Sequence, residues 1–225
     1  MMQDIELVVF DMAGTTVHDD GQVVHAFTTA LADDGIEVSP SRLQSVRGAS
    51  KRHAILALLP EGPDHMERAA RTYVRFCERL SQLYRTQGVR PIEGADKVFA
   101  WLRGRNIRVV LNTGFDRDIT QLLLAGLGWT KGVAEAVICS DDVPQGRPAP
   151  YMIFRSMEAA AVVNVDRVAN VGDTALDLQA GNNARVRCNI GVLSGAHPRE
   201  VLMREKHTRL LPSVADLPGL WQLDA

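Results

Sequence analysis

Apolar positions along the chain follow two different periods. Residues 5–10, Ile-Glu-Leu-Val-Val-Phe, are a near-continuous run of β-formers that ends at a carboxylate, Asp11. The run predicts a mostly buried strand with the acid at its C-terminal end. A helical repeat follows. Val24, Phe27 and Leu31 recur at helical spacing across 22–34. Residues 49–59 read as a helix stopped by Pro60-Glu61-Gly62-Pro63, and Ala69, Tyr73, Phe76, Leu80 and Leu83 form one stripe along 64–87. Residues 18–90 thus read as helix and turn alone.

Beyond Pro91 the two periods alternate. Helices are predicted at 95–103, 118–127, 151–160 and 175–183, with strands at 107–111, 136–139, 168–171 and, last, within 186–192. Alternation of this kind predicts an α/β fold with a Rossmann-like parallel sheet, whose ligands bind beyond the carboxyl ends of the strands. The first helical block interrupts the alternation and reads as an inserted α-helical cap domain, 18–90. The α/β core domain then comprises 1–17 and 91–225, with hinges near 17–21 and 88–92.

Composition narrows the function classes. The chain has 225 residues, 46% hydrophobic and 23% charged, with a net charge of −2. That is an ordinary globular balance, and no basic field argues for nucleic acid or a membrane surface. Cys77, Cys139 and Cys188 are too far apart to suggest a disulfide framework, which favours a reducing, cytoplasmic setting. The run at 5–10 is too short for a signal or membrane segment.

Four stretches fall just past predicted strand ends: Asp11-Met12-Ala13-Gly14-Thr15-Thr16, Asn112-Thr113-Gly114, Gly146-Arg147-Pro148 and Gly172-Asp173-Thr174-Ala175-Leu176-Asp177. Each alone has a plain alternative: a turn, a helix cap or a solvated charge. Together they suit phosphoryl transfer. Paired carboxylates share a hard cation such as Mg²⁺, a hydroxyl and backbone amides hold phosphate oxygens, and a fixed guanidinium neutralises charge. One carboxylate can attack phosphorus.

The four stretches resemble the motifs of the haloacid dehalogenase superfamily of hydrolases, over nearly the whole chain and including a helical cap after the first motif. The resemblance implies Asp11 as nucleophile, Thr113 as phosphate ligand, Arg147 as the basic residue, and Asp173 as a Mg²⁺ ligand supported by Asp177. It also implies the backbone carbonyl of Ala13 as a further metal ligand.

Position 13 departs from most phosphatases of that superfamily, which carry there an acid that protonates the leaving alkoxide, help typically worth ~10²–10⁴-fold. Alanine cannot supply it. The signature Asp-x-Ala-Gly-Thr-Thr with Gly-Arg-Pro resembles the phosphonatase (phosphonoacetaldehyde hydrolase) branch, which breaks a carbon–phosphorus bond. A carbanion leaves only with an electron sink, such as the imine of a lysine with a neighbouring carbonyl. Lys51, in Gly48-Ala49-Ser50-Lys51, matches that branch's Gly-x-x-Lys segment; the alternative is an exposed helix lysine. Arg47 and Arg52 beside it are expected to lower its pKa.

The match is imperfect. Ala54 stands where that branch places a histidine, and His53, one residue earlier, is rotated by about 100° on a helix. It is either a proton shuttle or a surface residue. Arg47 replaces a methionine and Phe115 a tyrosine. Gly114, Thr15, Gly48, Arg47, His53 and Phe115 complete the expected substrate contacts. His18, Asp19 and Asp20 read as solvation of a hinge.

The expected function is Mg²⁺-dependent cleavage of a 2-oxoalkylphosphonate such as phosphonoacetaldehyde. It would proceed through an aspartyl-phosphate on Asp11 and a Schiff base on Lys51. A phosphate-monoester phosphatase and a non-catalytic Mg²⁺- or phosphate-responsive module are the alternatives. The expected partners are a small phosphonate or phosphate and, through the cap, a second copy of the chain; no nucleic acid or membrane is expected.

Overall fold

The structure is a computed structural model in which residues 2–222 are described. Its centre is a six-stranded, all-parallel sheet: β1 (Leu7–Asp11), β2 (Arg108–Asn112), β3 (Ala136–Ile138), β4 (Val168–Gly172), β5 (Cys188–Val192) and β6 (Arg209–Leu211). The spatial order is β3-β2-β1-β4-β5-β6. β1 is central, and all five of its residues are buried. Its side chains alternate between the two faces as a strand requires. Val8 and Phe10 join the larger apolar core, where the Phe10 ring meets Phe99 edge-on at 5.3 Å. Leu7 and Val9 face Met152, Ile153 and Met157 on the other side. Burial on both faces is why the run at 5–10 lacks polar alternation.

The chain runs outward from β1 through β2 to β3, then crosses back to place β4 on the other side of β1. The sheet reverses direction between β1 and β4. A crevice opens at such a reversal, beyond the carboxyl ends of the two strands. Asp11 ends β1 and Asp173 follows β4, so both carboxylates enter that crevice.

Four helices follow β1 before the chain returns to the sheet layer: α1 (Gln22–Ala32), α2 (Pro40–Ser45), α3 (Lys51–Leu58) and α4 (His65–Gln87). α4 lays its stripe of Tyr73, Phe76, Leu80 and Tyr84 inward. Phe76 packs on Phe27 of α1 with ring centroids 4.5 Å apart. Arg75 Nη1 reaches Asp34 Oδ1 at 3.0 Å just beyond α1. The chain leaves and re-enters the sheet layer through one narrow neck. His18 N donates to Arg90 O at 3.0 Å, and Ile92 N donates to Thr16 O at 2.9 Å. The remaining helices are α5 (Ala95–Arg103), α6 (Arg117–Leu127), α7 (Tyr151–Ala159), α8 (Ala175–Ala184), α9 (Arg199–Leu202) and α10 (Gly219–Gln222). No described helix is long and apolar enough to cross a membrane.

Two elements depart from the pattern-based reading. The sheet does not end at β5, because β6 pairs with it in parallel, Ile190 opposite Arg209. β6 is three half-buried or exposed edge residues, too few to set up a period. α2 was also silent, since none of its six residues is buried and it has no apolar stripe. Ser39 caps it by accepting from Arg42 N, so Ser39-Pro40 opens a helix there instead of merely interrupting the chain.

Phe76 is fully buried and central to the α1–α4 contact. Phe76→Ala is expected to lower unfolding free energy by roughly 3–5 kcal/mol, measured by denaturant titration.

Candidate active site

The turn after β1 explains the small residues at 13–16. Thr15 N, Thr16 N and Val17 N all converge on Met12 O, at 3.1, 2.8 and 2.8 Å, and Gly14 N donates to Val17 O at 2.7 Å. Gly14 sits at φ 91°, and a Cβ there would lie 2.3 Å from Asp173 Oδ2. Both the backbone conformation and the space therefore call for glycine. Thr16 Oγ1 donates to Asp11 O at 3.0 Å, and Thr15 Oγ1 donates to Asp173 Oδ1 at 3.0 Å. The turn binds the ends of β1 and β4 together.

Arg147 is the cation of this crevice. Its Nη1 lies 2.8 Å from Asp11 Oδ1 and 2.8 Å from Asp177 Oδ1, and its Nη2 donates to Asn112 Oδ1. All three ionic side chains are buried. Asp177 sits in the first turn of α8, where Thr174 N donates to its Oδ2 at 3.0 Å in a reciprocal capping box. Asp173 Oδ2 accepts from Ala196 N at 2.6 Å. Burial works against the Arg147 charge, but Asp177 and Asp11 outweigh it and hold the guanidinium pKa above its usual range. Burial, then the charges of Asp11 and Asp177, push the Asp173 carboxyl well up. Burial also raises Asp177, against the pull of Arg147.

One guanidinium does not balance three buried carboxylates. Oxygens of Asp11, Asp173 and Asp177 lie within 4.8 Å of one another. A buried, oxygen-only, acidic cluster with excess negative charge fits a hard divalent cation.

The opposite wall comes from the helical segment, which approaches very closely. Gly48 has φ 85°, and a Cβ on it would lie 2.3 Å from Thr174 Oγ1. A Cβ on Gly114 would lie 2.7 Å from Ala49 O. Lys51 N donates to Gly114 O at 3.1 Å. This close contact seats the N-terminus of α3 on the loop after β2, with Ser50 as its cap. Lys51 Nζ then lies 4.8 Å above the Phe115 ring and 3.5 Å from Ala49 O. Burial pushes the Lys51 ammonium pKa down, and Arg147 and Arg47 add to the fall, against Asp11 and Asp19.

One cavity joins the two walls. Asp11, Ala13, Thr113, Gly114, Arg147 and Asp173 line its sheet side, and Arg47, Gly48, Lys51 and Asp19 its helical side, with Phe115 beneath Lys51. The Thr113 hydroxyl accepts from Phe115 N at 3.2 Å. Thr15 and Asp177 are not among the lining residues. Thr15 is turned onto Asp173, and Asp177 stands behind Arg147.

Of the two alternatives for His53 the structure shows the surface residue, away from the expected substrate contacts. His53 is exposed and lines a separate groove with Met66, Tyr73 and Gln145, because the rotation along α3 turns it away from Lys51. Arg52 stacks over the Tyr73 ring at 3.9 Å. Among the cations, Arg147 and then Arg47 weigh most on Lys51.

Two residues were undervalued. Asp19 was read as hinge solvation, yet it turns into the cavity. His197 has no sequence partner but is buried. Its Nδ1 accepts from Ala175 N at 2.9 Å, which leaves Nε2 to donate to Gln44 O at 3.4 Å. No spacing pattern could reveal either, because their partners come from remote elements.

The family model described as haloacid dehalogenase-like hydrolase matches residues 5–185. A phosphonoacetaldehyde hydrolase of Bacteroides fragilis is 30% identical over 94% of this chain and 84% of its own. One of Parabacteroides distasonis is 28% identical over 92% and 83%. A phosphonoacetaldehyde hydrolase-like protein from Oleispira antarctica superposes with a TM-score of 0.84 at 21% identity, covering 98% of this chain and 92% of that one. A hydrolase from Pseudomonas syringae gives 0.85 at 20%, covering 98% and 99%.

The raised carboxyls set a pH dependence. A carboxyl whose folded pKa lies above its unfolded value costs stability when ionised, so the cluster destabilises the cation-free protein as pH rises through the raised values. A bound divalent cation offsets that cost and competes with protons. Millimolar Mg²⁺ is expected to raise the thermal midpoint by several degrees at pH 8 and by much less at pH 5. Equal shifts at both pH values would disprove the assignment of the cluster as a cation site.

Proposed function

The chain belongs to the haloacid dehalogenase-like hydrolases, and we propose that it is a Mg²⁺-dependent hydrolase of the carbon–phosphorus bond of a 2-oxoalkylphosphonate such as phosphonoacetaldehyde. One observation carries this reading. The cavity has no acid at Ala13 to protonate an alkoxide, but it has the Lys51 amine facing the Asp11 carboxylate across it. The names of the relatives in Bacteroides fragilis and Parabacteroides distasonis support the same choice.

The roles follow from placement. A Mg²⁺ ion held by Asp11 and Asp173, with the Ala13 carbonyl beside them, would supply positive charge against the phosphonate oxygens. Thr113 and the backbone of Gly114 bind those oxygens, and Arg147 fixes the Asp11 carboxylate through a 2.8 Å ion pair. Asp177 holds Arg147 from behind. Lys51, its amine favoured by burial, condenses with the substrate carbonyl. Asp11 then attacks phosphorus, and the electron pair of the breaking C–P bond flows into the iminium to give an enamine. Water hydrolyses the aspartyl-phosphate and, after protonation of the enamine, the imine. In this reading residues 18–90 act as a cap that keeps bulk water from the two covalent intermediates.

The test is reductive trapping. Borohydride added with phosphonoacetaldehyde is expected to inactivate the enzyme and leave a mass increment on the peptide holding Lys51. Lys51→Arg keeps a positive charge but forms no imine, and should lower phosphate release at least ~10³-fold while retaining Mg²⁺ binding. Absence of an adduct during turnover, or phosphonate cleavage by folded Lys51→Arg, would overturn the reading. Unactivated alkyl phosphates should be poor substrates, because help from an acid worth ~10²–10⁴-fold is missing at position 13. Turnover of such esters at the phosphonate rate would mark the protein as a monoester phosphatase. Asp11→Asn should abolish phosphate release from either substrate.

A further inference from the structure

The imine chemistry of Lys51 needs a partner that moves protons. Lysine must lose a proton before it can attack, and the carbinolamine must gain one before its hydroxyl can leave as water. The histidine the sequence offered for this, His53, lines a different groove. Among the residues that line the Lys51 cavity, arginines do not titrate, Asp11 is committed to phosphorus, and Asp173 belongs to the acidic cluster. The remaining carboxylate is Asp19. It reaches the cavity from the neck between β1 and α1, on the same helical side as Lys51. Its charge is among those that act on the lysine.

Asp19 is also held for such a task. Val23 N donates to its Oδ1 at 3.3 Å, which ties it to the first turn of α1. Arg47 Nη1 lies 3.5 Å from its Oδ2. Its side chain is 11% exposed, so most of it is withdrawn from water. Each oxygen carries one long contact and retains a lone pair to exchange a proton with a group in the cavity. Arg47, from the segment between α2 and α3, fixes the orientation of that carboxylate. An arginine at position 47 thus has a local reason: it holds Asp19.

We propose that Asp19 is the general base and acid for Schiff-base formation and hydrolysis at Lys51, with Arg47 as its positioning residue. The inference rests on the reading of the site as an imine-forming C–P hydrolase. The Asp19 carboxylate takes a proton from the Lys51 ammonium and leaves a neutral amine. The amine nitrogen bonds to the substrate carbonyl carbon, the carbonyl π pair moves to oxygen, and a proton passes from nitrogen to that oxygen to give the carbinolamine. Protonated Asp19 then gives its proton to the hydroxyl. The C–O bond breaks, water leaves, and the nitrogen lone pair forms the C=N bond of the iminium. Asp19 returns to the carboxylate. The same steps in reverse hydrolyse the product imine.

Asp19→Asn removes the proton carrier with the least change of shape: its one amide oxygen can still accept from Val23 N, while its NH₂ takes the place of the oxygen beside Arg47, and it cannot carry the proton. With purified full-length protein, Mg²⁺ and phosphonoacetaldehyde, three quantities are measured: steady-state phosphate release, the rate of borohydride-trapped adduct on Lys51, and the thermal midpoint. The expected result is a fall in kcat of roughly 10²–10⁴-fold, a parallel fall in the trapping rate, little change in KM, and at most a small fall in the thermal midpoint from the lost Arg47 contact. Asp19→Glu should recover part of the activity, and does so only if a carboxylate is what counts. The proposal is overturned if Asp19→Asn traps adduct at the wild-type rate, or if Asp19→Glu is as inactive as Asp19→Asn while folded. Should Asp19→Asn unfold, the Asp19→Glu trapping rate alone decides the question: near wild-type supports the role, and loss refutes it. Failure of wild-type protein to form any adduct removes the imine reading itself, a result distinct from wild-type trapping that Asp19→Asn leaves unaffected.

Discussion

The ion pairs of Arg147 are the contact on which the site depends. Three carboxylates brought into one crevice repel one another and lose hydration, and the raised pKa values of Asp173 and Asp177 express that cost. The sheet order makes the gathering unavoidable, since β1 and β4 are neighbours, β1 ends at Asp11 and Asp173 follows β4 at once. Arg147 lowers the cost by bridging Asp11 and Asp177 at 2.8 Å. A lysine would present one ammonium where the planar guanidinium serves Asp11, Asp177 and Asn112 at once. The negative charge that remains is what a divalent cation would use.

That arrangement leaves one Asp11 oxygen paired with Arg147 while its carboxylate still faces the cavity. Asp11, the nucleophile on the proposed reading, is oriented by a contact on its flank, and its motion is limited further by the β1 turn through Thr16. Precise positioning of this kind removes entropy from the barrier in advance. Its cost is local: Gly14 and Gly195 must lack side chains because Asp173 occupies the space a Cβ would need, at 2.3 and 2.0 Å.

Much of this was legible in the sequence because it rests on local pattern. The run at 5–10 ending in Asp11, the helix at 95–103 and the strand-end positions of Thr113 and Asp173 follow from periodicity and turn residues. The family match over residues 5–185 agrees with the motifs read from single stretches. What was not legible depends on tertiary approach. β6 and α2 are too short or too exposed to carry a period. The directions of Arg52 and His53 needed the seat of α3, which no spacing fixes. Asp19 looked like one of three polar residues at a hinge until α1 and α3 closed around it. His197 acquires a role only because α8 and α2, which bears Gln44, meet there.

The close approach of the helical segment links lysine chemistry to closure. The contacts of Gly48 with Thr174 and of Ala49 with Gly114 leave no room for a layer of water. The same approach seats Lys51 against the Phe115 ring and the Gly114 carbonyl, and burial is the largest cause of its lowered pKa. On the proposed reading, separating the two layers would rehydrate the amine and restore its proton, so the nucleophilic form would exist chiefly when the cavity is closed. Closure would then make the amine at the moment it excludes water that could intercept the imine or the aspartyl-phosphate. A side chain at position 48 would therefore do more than misplace a loop. By holding the layers apart, it would leave the lysine charged, and the core carboxylates would face a substrate they could bind but not cleave.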